Sequence, residues 1–137
     1  MEERIQFVTR FIRAIAGIDI SDYLSKVFSL DRIILNEDRH LNNLALIFTG
    51  TKFLPAPIFD NGISLLTANQ SVNWRLPLEE NIKKVVARPF SGSHEKMQNY
   101  FGKGFQINME AVLDWLAKEP QSHEKEVLEY QIKRYSQ

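Results

Sequence analysis

The sequence predicts a mainly α fold with one small β-hairpin, an α+β arrangement in which most of the core is helix against helix. Three observations carry that prediction. Apolar residues recur at three- and four-residue steps over much of the chain, and serine and asparagine stand where helix starts need caps. A single pair of short apolar runs flanks Thr49-Gly50-Thr51-Lys52, the pattern of a hairpin turn.

The first helix shows Ile5, Val8, Phe11, Ile12 and Ile15 on one stripe, with Arg4, Arg10 and Arg13 opposite and Gly17 closing it. Ser21 is placed to cap a second helix, whose buried stripe is Tyr23, Leu24, Val27 and Phe28 and whose pattern breaks near Asp31. Leu44 to Phe48 and Phe53 to Phe59 read as the hairpin strands. Pro55 and Pro57 are two residues apart, so both turn their missing N–H to the same side; that side is an unpaired edge, and Leu54, Ala56 and Ile58 bond the partner strand. Residues 64 to 75 form a polar loop, long enough to be a functional surface.

Leu78, Ile82, Val85 and Val86 then predict a helix ended by Pro89, with strand as the alternative over Lys83 to Phe90. Three helices follow: Ser93 to Phe101, a second behind the cap Asn108 with Met109, Val112, Leu113 and Leu116, and a third from Ser122 to about Tyr135. Ser-His-Glu-Lys occurs at Ser93 to Lys96 and again at Ser122 to Lys125. A serine cap with an acid in the first turn is ordinary helix chemistry, so the two copies are coincident helix starts. Phe90, Trp74 and Trp115 read as core residues.

Length and charge bound the function. With 137 residues the chain forms a single domain, 1–137, around one core, and nothing in it reads as a linker or a low-complexity tract. Seventeen basic residues balance seventeen acidic ones, which removes the electrostatic case for direct nucleic-acid binding. No cysteine is present, so disulfide scaffolds and thiolate zinc sites are excluded. A charged N-terminus and the lack of a long apolar run predict no membrane insertion and a cytoplasmic location.

The informative stretch is Leu35-Asn36-Glu37-Asp38-Arg39-His40-Leu41-Asn42-Asn43, followed across the hairpin by Ile58-Phe59-Asp60-Asn61-Gly62. If the turn centres between Gly50 and Lys52, Asn43 falls opposite Asp60 on one face of the hairpin, at its open end, where the loop from Asn36 to Asn42 also arrives. An Asp and an Asn facing one another suit a hard divalent cation such as Mg²⁺, which takes a carboxylate and an amide oxygen together with substrate phosphates. Asp38, five residues before Asn43, is spaced to accept a proton from an attacking hydroxyl. Together these point to phosphotransfer.

The order Asp38-x-x-x-x-Asn43, with Asp60-Asn61-Gly62 after a hairpin, resembles the catalytic and metal-binding loops of the protein-kinase-like superfamily. Asp38-Arg39-His40, in that order, is similar to phosphatidylinositol 3/4-kinases and to the bacterial HipA-like serine/threonine kinases of toxin–antitoxin systems. The wider strings Leu30 to His40, Ala56 to Gly62 and Ala87 to Ser91 are most similar to the HipA-like proteins, specifically over residues 20 to 65. The resemblance implies a kinase C-terminal lobe with Asp38 as catalytic base and His40 as alternative base or loop organiser. It implies Asn43 and Asp60 as Mg²⁺ ligands; Asn36, Arg39 and Gly62 organise the loops.

Such kinases also hold ATP with an N-terminal β-lobe carrying a phosphate-covering loop and a lysine. Only 37 residues precede Asp38, two helices use them up, and the one lysine among them, Lys26, sits inside a helix. The expectation is therefore half of a nucleotide cleft, binding Mg²⁺–ATP weakly alone and completed by an N-lobe from the same longer chain or a separate subunit, with an antitoxin-type protein as a further possible partner. Two other readings compete: a catalytically silent kinase-like binding module, and a metal-dependent phosphohydrolase using Asp38, His40, Asn43 and Asp60.

Overall fold

A computed structural model describes all residues, 1–137. Its elements are α1 (Glu2–Ala16), α2 (Ser21–Ile34), β1 (Leu46–Phe48), β2 (Phe53–Pro55), α3 (Leu78–Ile82), α4 (His94–Phe101), α5 (Met109–Lys118) and α6 (His123–Ser136), with a 3-10 turn at Leu41–Asn43 before the hairpin. The fold is thus mainly helical with one two-stranded antiparallel sheet. No helix is long and apolar enough to cross a membrane.

Helix α2 is the central beam. Its Tyr23, Leu24, Val27 and Phe28 pack with Ile5 of α1, Met97 of α4 and Phe90 of the loop before α4 in the largest core cluster, and Ile33 near its end packs with Leu116 of α5 and Ile132 and Tyr135 of α6. Gly104 is where the following chain passes closest to this beam. A Cβ there would lie 2.5 Å from the backbone of Lys26, and the Gly104 N–H donates to Ser29 Oγ at 2.8 Å.

Helix ends follow local chemistry. Gly17 takes the left-handed conformation, φ 71°, and returns its N–H to Arg13. Ser93, Asn108 and Ser122 each accept the backbone N–H three residues on, so both Ser-His-Glu-Lys copies start helices in the same way. Ser91 Oγ accepts the Ser93 N–H, which sets the turn before α4.

Several expectations are corrected. Ser21 is the first helical residue rather than the cap; the Asp19 carboxylate two residues earlier accepts its N–H. Asp31 does not break α2 but lies buried inside it, because a partner for its charge comes from the next loop. The stretch Leu78 to Pro89 is helical only to Ile82, and Val86 is exposed. Trp74 and Trp115 are also exposed, Trp74 lying flat on the His123 ring with centroids 3.8 Å apart; only Phe90 of the three aromatics is core.

The hairpin register also differs. Leu46 pairs with Pro55, Ile47 with Leu54 and Phe48 with Phe53, two residues out of step with a pairing of Asn43 and Asp60. The reason is a tighter turn: Thr49 bonds Lys52 across Gly50-Thr51, and Gly50 supplies the positive φ, 96°. The proline argument holds for Ala56, which donates to Ala45 while Pro55 occupies the alternate position that donates nothing to β1, but the strands are shorter than Leu44–Phe48 and Phe53–Phe59: the ladder ends at Leu46 and Pro55, and Ile58 makes no backbone bond to β1.

Candidate phosphotransfer site

The loop from Asn36 to Asn43 is built around one buried arginine. Arg39 is fully buried, and its guanidinium clasps Asp31 of α2 through two hydrogen bonds of 2.9 Å. The same side chain donates to the carbonyls of Phe59 at 2.7 Å and Asn43 at 3.5 Å, and to the Asn61 amide oxygen at 2.5 Å. One rigid fork therefore ties the helix, the Asn36–Asn43 loop and the loop after β2 together. Burial pushes the Asp31 carboxyl above its ordinary value, and the Arg39 and Asn36 hydrogen bonds pull it back.

Asn36 completes this frame. Fully buried, it donates to Asp31 and accepts the Asp38 N–H at 2.9 Å, which fixes the backbone that presents Asp38. Backbone bonds from Glu37 to Ile63 and from Leu65 to Ile34 pin the two loops side by side. Glu37 accepts the Asn69 amide at 2.7 Å, so the polar loop of residues 64 to 75 is anchored here too; burial raises the Glu37 carboxyl against that bond.

Asn43 and Asp60 meet although they are not strand partners. The Asn43 side chain donates to Asp60 Oδ2 at 2.6 Å, and its own amide oxygen accepts the His40 N–H at 3.2 Å. Both residues lie beyond the ladder, Asn43 in the 3-10 turn and Asp60 at φ 60°, and the Arg39 fork brings them together. Asn43 is buried, whereas Asp60 is exposed. All four non-glycine residues with positive φ, Leu35, Asp60, Leu65 and Leu66, fall at the ends of these two loops. Strain of that kind persists where surrounding bonds over-determine it.

Asp38 is partly exposed, and the Arg88 guanidinium stands 3.9 Å from its carboxylate. His40 is partly buried, with Nδ1 unpartnered. Gly62 does not take a positive φ, and a Cβ on it would meet nothing, so the conformational demand in its loop falls on Asp60 instead. Sequence reasoning missed Asp31, Asn61 and Arg88. For Asp31 a signal existed: it continues the Leu24, Val27, Phe28 stripe at helical spacing, and an acid on a buried stripe needs a buried cation.

The oxygen donors fit a hard cation in kind. Asp60 keeps one carboxylate oxygen free of hydrogen bonds; Asn43 turns its amide N–H to Asp60 and its amide oxygen to the His40 N–H, so joint ligation of a cation requires the Asn43 amide to turn over. Mg²⁺ needs no more from a protein than one or two such groups, since water and phosphate fill the remaining positions. Comparison with protein-family models, with curated proteins and with solved structures found no match to this chain.

Proposed function

We propose that this domain is the C-terminal lobe of a HipA-like, ATP- and Mg²⁺-dependent serine/threonine phosphotransferase, acting when an N-terminal nucleotide-binding lobe completes the cleft. The observation that carries this reading is the Asn43–Asp60 pair held at 2.6 Å beside a loop that presents Asp38 from a fully bonded frame. Asp60 and Asn43 would hold Mg²⁺, which supplies neutralisation of phosphate charge. Asp38 orients the acceptor hydroxyl and takes its proton, being exposed enough to reach a substrate while its backbone is fixed through Asn36. His40 closes the turn that aims Asn43. Arg39 acts by position alone, because its donors are spent on the frame.

An apolar face beside this loop suits the missing lobe. Phe7 and Phe11 of α1 and Leu41 are exposed around an apolar groove of about 310 Å³ that runs between α1, α2 and the start of the hairpin. An antitoxin-type protein is a further candidate partner.

The test is phosphate transfer from ATP by the chain joined to, or mixed with, an N-lobe. Asp38→Asn is expected to leave nucleotide binding nearly intact while lowering turnover on the order of 10²-fold or more. Asp60→Asn should weaken metal and nucleotide binding as well as rate, and His40→Ala should cost less than Asp38→Asn. If the complex transfers no phosphate and the Asp38 and Asp60 variants bind partners like the wild type, the domain is a catalytically silent module.

A further inference from the structure

Arg88 lies in the loop between α3 and α4, and the fold returns its guanidinium to the Asp38 carboxylate. The backbone that carries it is braced on both sides. Ala87 and Phe90 are buried in the largest core cluster with Phe28 and Met97. The Ala87 N–H donates to the Gly92 carbonyl at 2.9 Å, and the Phe90 carbonyl accepts the Arg4 guanidinium at 2.5 Å.

The Arg88 side chain, by contrast, is free to turn. It is 62% exposed, no hydrogen bond holds its guanidinium, and its one ion-pair contact, 3.9 Å to Asp38, is longer than a hydrogen bond. No other cation lies within ion-pair distance of Asp38 or Asp60. Arg39 spends its donors on Asp31, Asn61 and two carbonyls of the frame.

Under the phosphotransfer reading, on which this inference rests, charge moves at this spot. Before transfer Asp38 is anionic and Arg88 neutralises it. In the transfer the acceptor Oγ bonds to the γ-phosphorus of ATP, the bond from that phosphorus to the bridging oxygen breaks with its electron pair leaving on ADP, and the hydroxyl proton passes to Asp38. The carboxyl is then neutral, and the negative charge nearest to it sits on the new phosphate ester. Arg88 has lost one anion and gained a better one, because its fork matches phosphate oxygens. We propose that Arg88 is a catalytic residue that changes partner from Asp38 to the transferring phosphoryl group and then holds the phosphoserine or phosphothreonine product.

Two measurements test it. In the chain completed by an N-lobe, this contact forms only once charge has moved. Arg88→Gln should therefore lower kcat on the order of 10²-fold with KM for ATP and acceptor unchanged, and Arg88→Lys should recover part of the loss. In the isolated chain, NMR titration with a phosphoserine peptide reads product binding without turnover. Asp38→Asn, the neutral isostere of the protonated base, should bind the peptide roughly tenfold more tightly than the wild type, and adding Arg88→Gln should abolish that gain. Full-rate transfer by Arg88→Gln, or peptide affinity in Asp38→Asn that ignores Arg88, overturns the proposal and leaves the phosphotransfer reading standing. A wild-type complex that transfers no phosphate overturns both.

Discussion

Two neighbouring regions of this domain solve opposite problems. Around Arg39 the fold buries charge and satisfies it internally, with five hydrogen bonds from one side chain to three segments. On the outer face of α1 and along β1 it leaves apolar side chains uncovered, Phe7 at 65% and Phe48 at 60% exposure. The contrast separates what the domain completes by itself from what it leaves open. Its polar frame is finished, so Asn43 and Asp60 hold their geometry without help. The apolar side chains of the outer face, by contrast, are left without internal cover.

The largest effect should come from breaking the frame. Arg39→Met strands the Asp31 carboxylate in the core and should cost about 3–5 kcal/mol in urea unfolding, the range for orphaning one partner of a buried ion pair. Adding Asp31→Leu should restore much of that stability without restoring the Asn43–Asp60 contact, because nothing else bridges the two loops. An Asn43 side-chain amide resonance that stayed unmoved in the double variant would show that Arg39 is not what positions it.

Acid should act on the layer beneath the frame. Burial pushes His94 down to about 4 from an ordinary 6.5; the Arg32 charge works the same way, while the Asn36 carbonyl nearby, outside hydrogen-bonding geometry, opposes them. Between those pH values the unfolded chain takes up a proton that the folded chain refuses, so stability is full above about pH 6.5 and falls as pH drops toward 4. The shift corresponds to about 3 kcal/mol. Denaturation midpoints across that window measure it, and His94→Gln should flatten the slope.

Packing comes next. Gly104→Ala forces a methyl into the α2 backbone and should cost about 2 kcal/mol by thermal unfolding. Gly62→Ala, with open space and no positive φ, should fall within about 0.5 kcal/mol of the wild type. The smallest effect belongs to the uncovered face: Phe11→Gln should also stay within about 0.5 kcal/mol, since Phe11 is 52% exposed. On the same helix the buried Ile5→Ala should cost about 2 kcal/mol or more.

How much of this was legible in the sequence follows the range of each interaction. The starts of α4, α5 and α6 were readable because Ser93, Asn108 and Ser122 cap within three residues. Asp31 reads as a break because its cation, Arg39, lies past the end of α2 in the next loop, where helical spacing says nothing about contact. The register slipped by two because Thr-Gly-Thr-Lys can turn at more than one centre, and only the bonded Thr49–Lys52 pair selects one. Asn43 and Asp60 were nonetheless recognised as neighbours. What brings them together is Arg39, whose hub role no local pattern displays, and Asn61, the residue after Asp60 that anchors the fork. Trp74 and Trp115 show the limit of reading burial from residue type alone.

The central proposal is that Asp60 and Asn43, held by the polar frame, take Mg²⁺–nucleotide even without a second lobe once the Asn43 amide turns its oxygen to the metal. NMR titration of the isolated chain with ATP, with and without Mg²⁺, tests it directly. Weak, saturable, Mg²⁺-dependent shifts at the Asn43 side-chain amide and at the Asp60 and Asp38 backbone, lost in Asp60→Asn, are the result the account predicts. Shifts that ignore Mg²⁺ or persist unchanged in Asp60→Asn, or none at any ATP concentration, would contradict it.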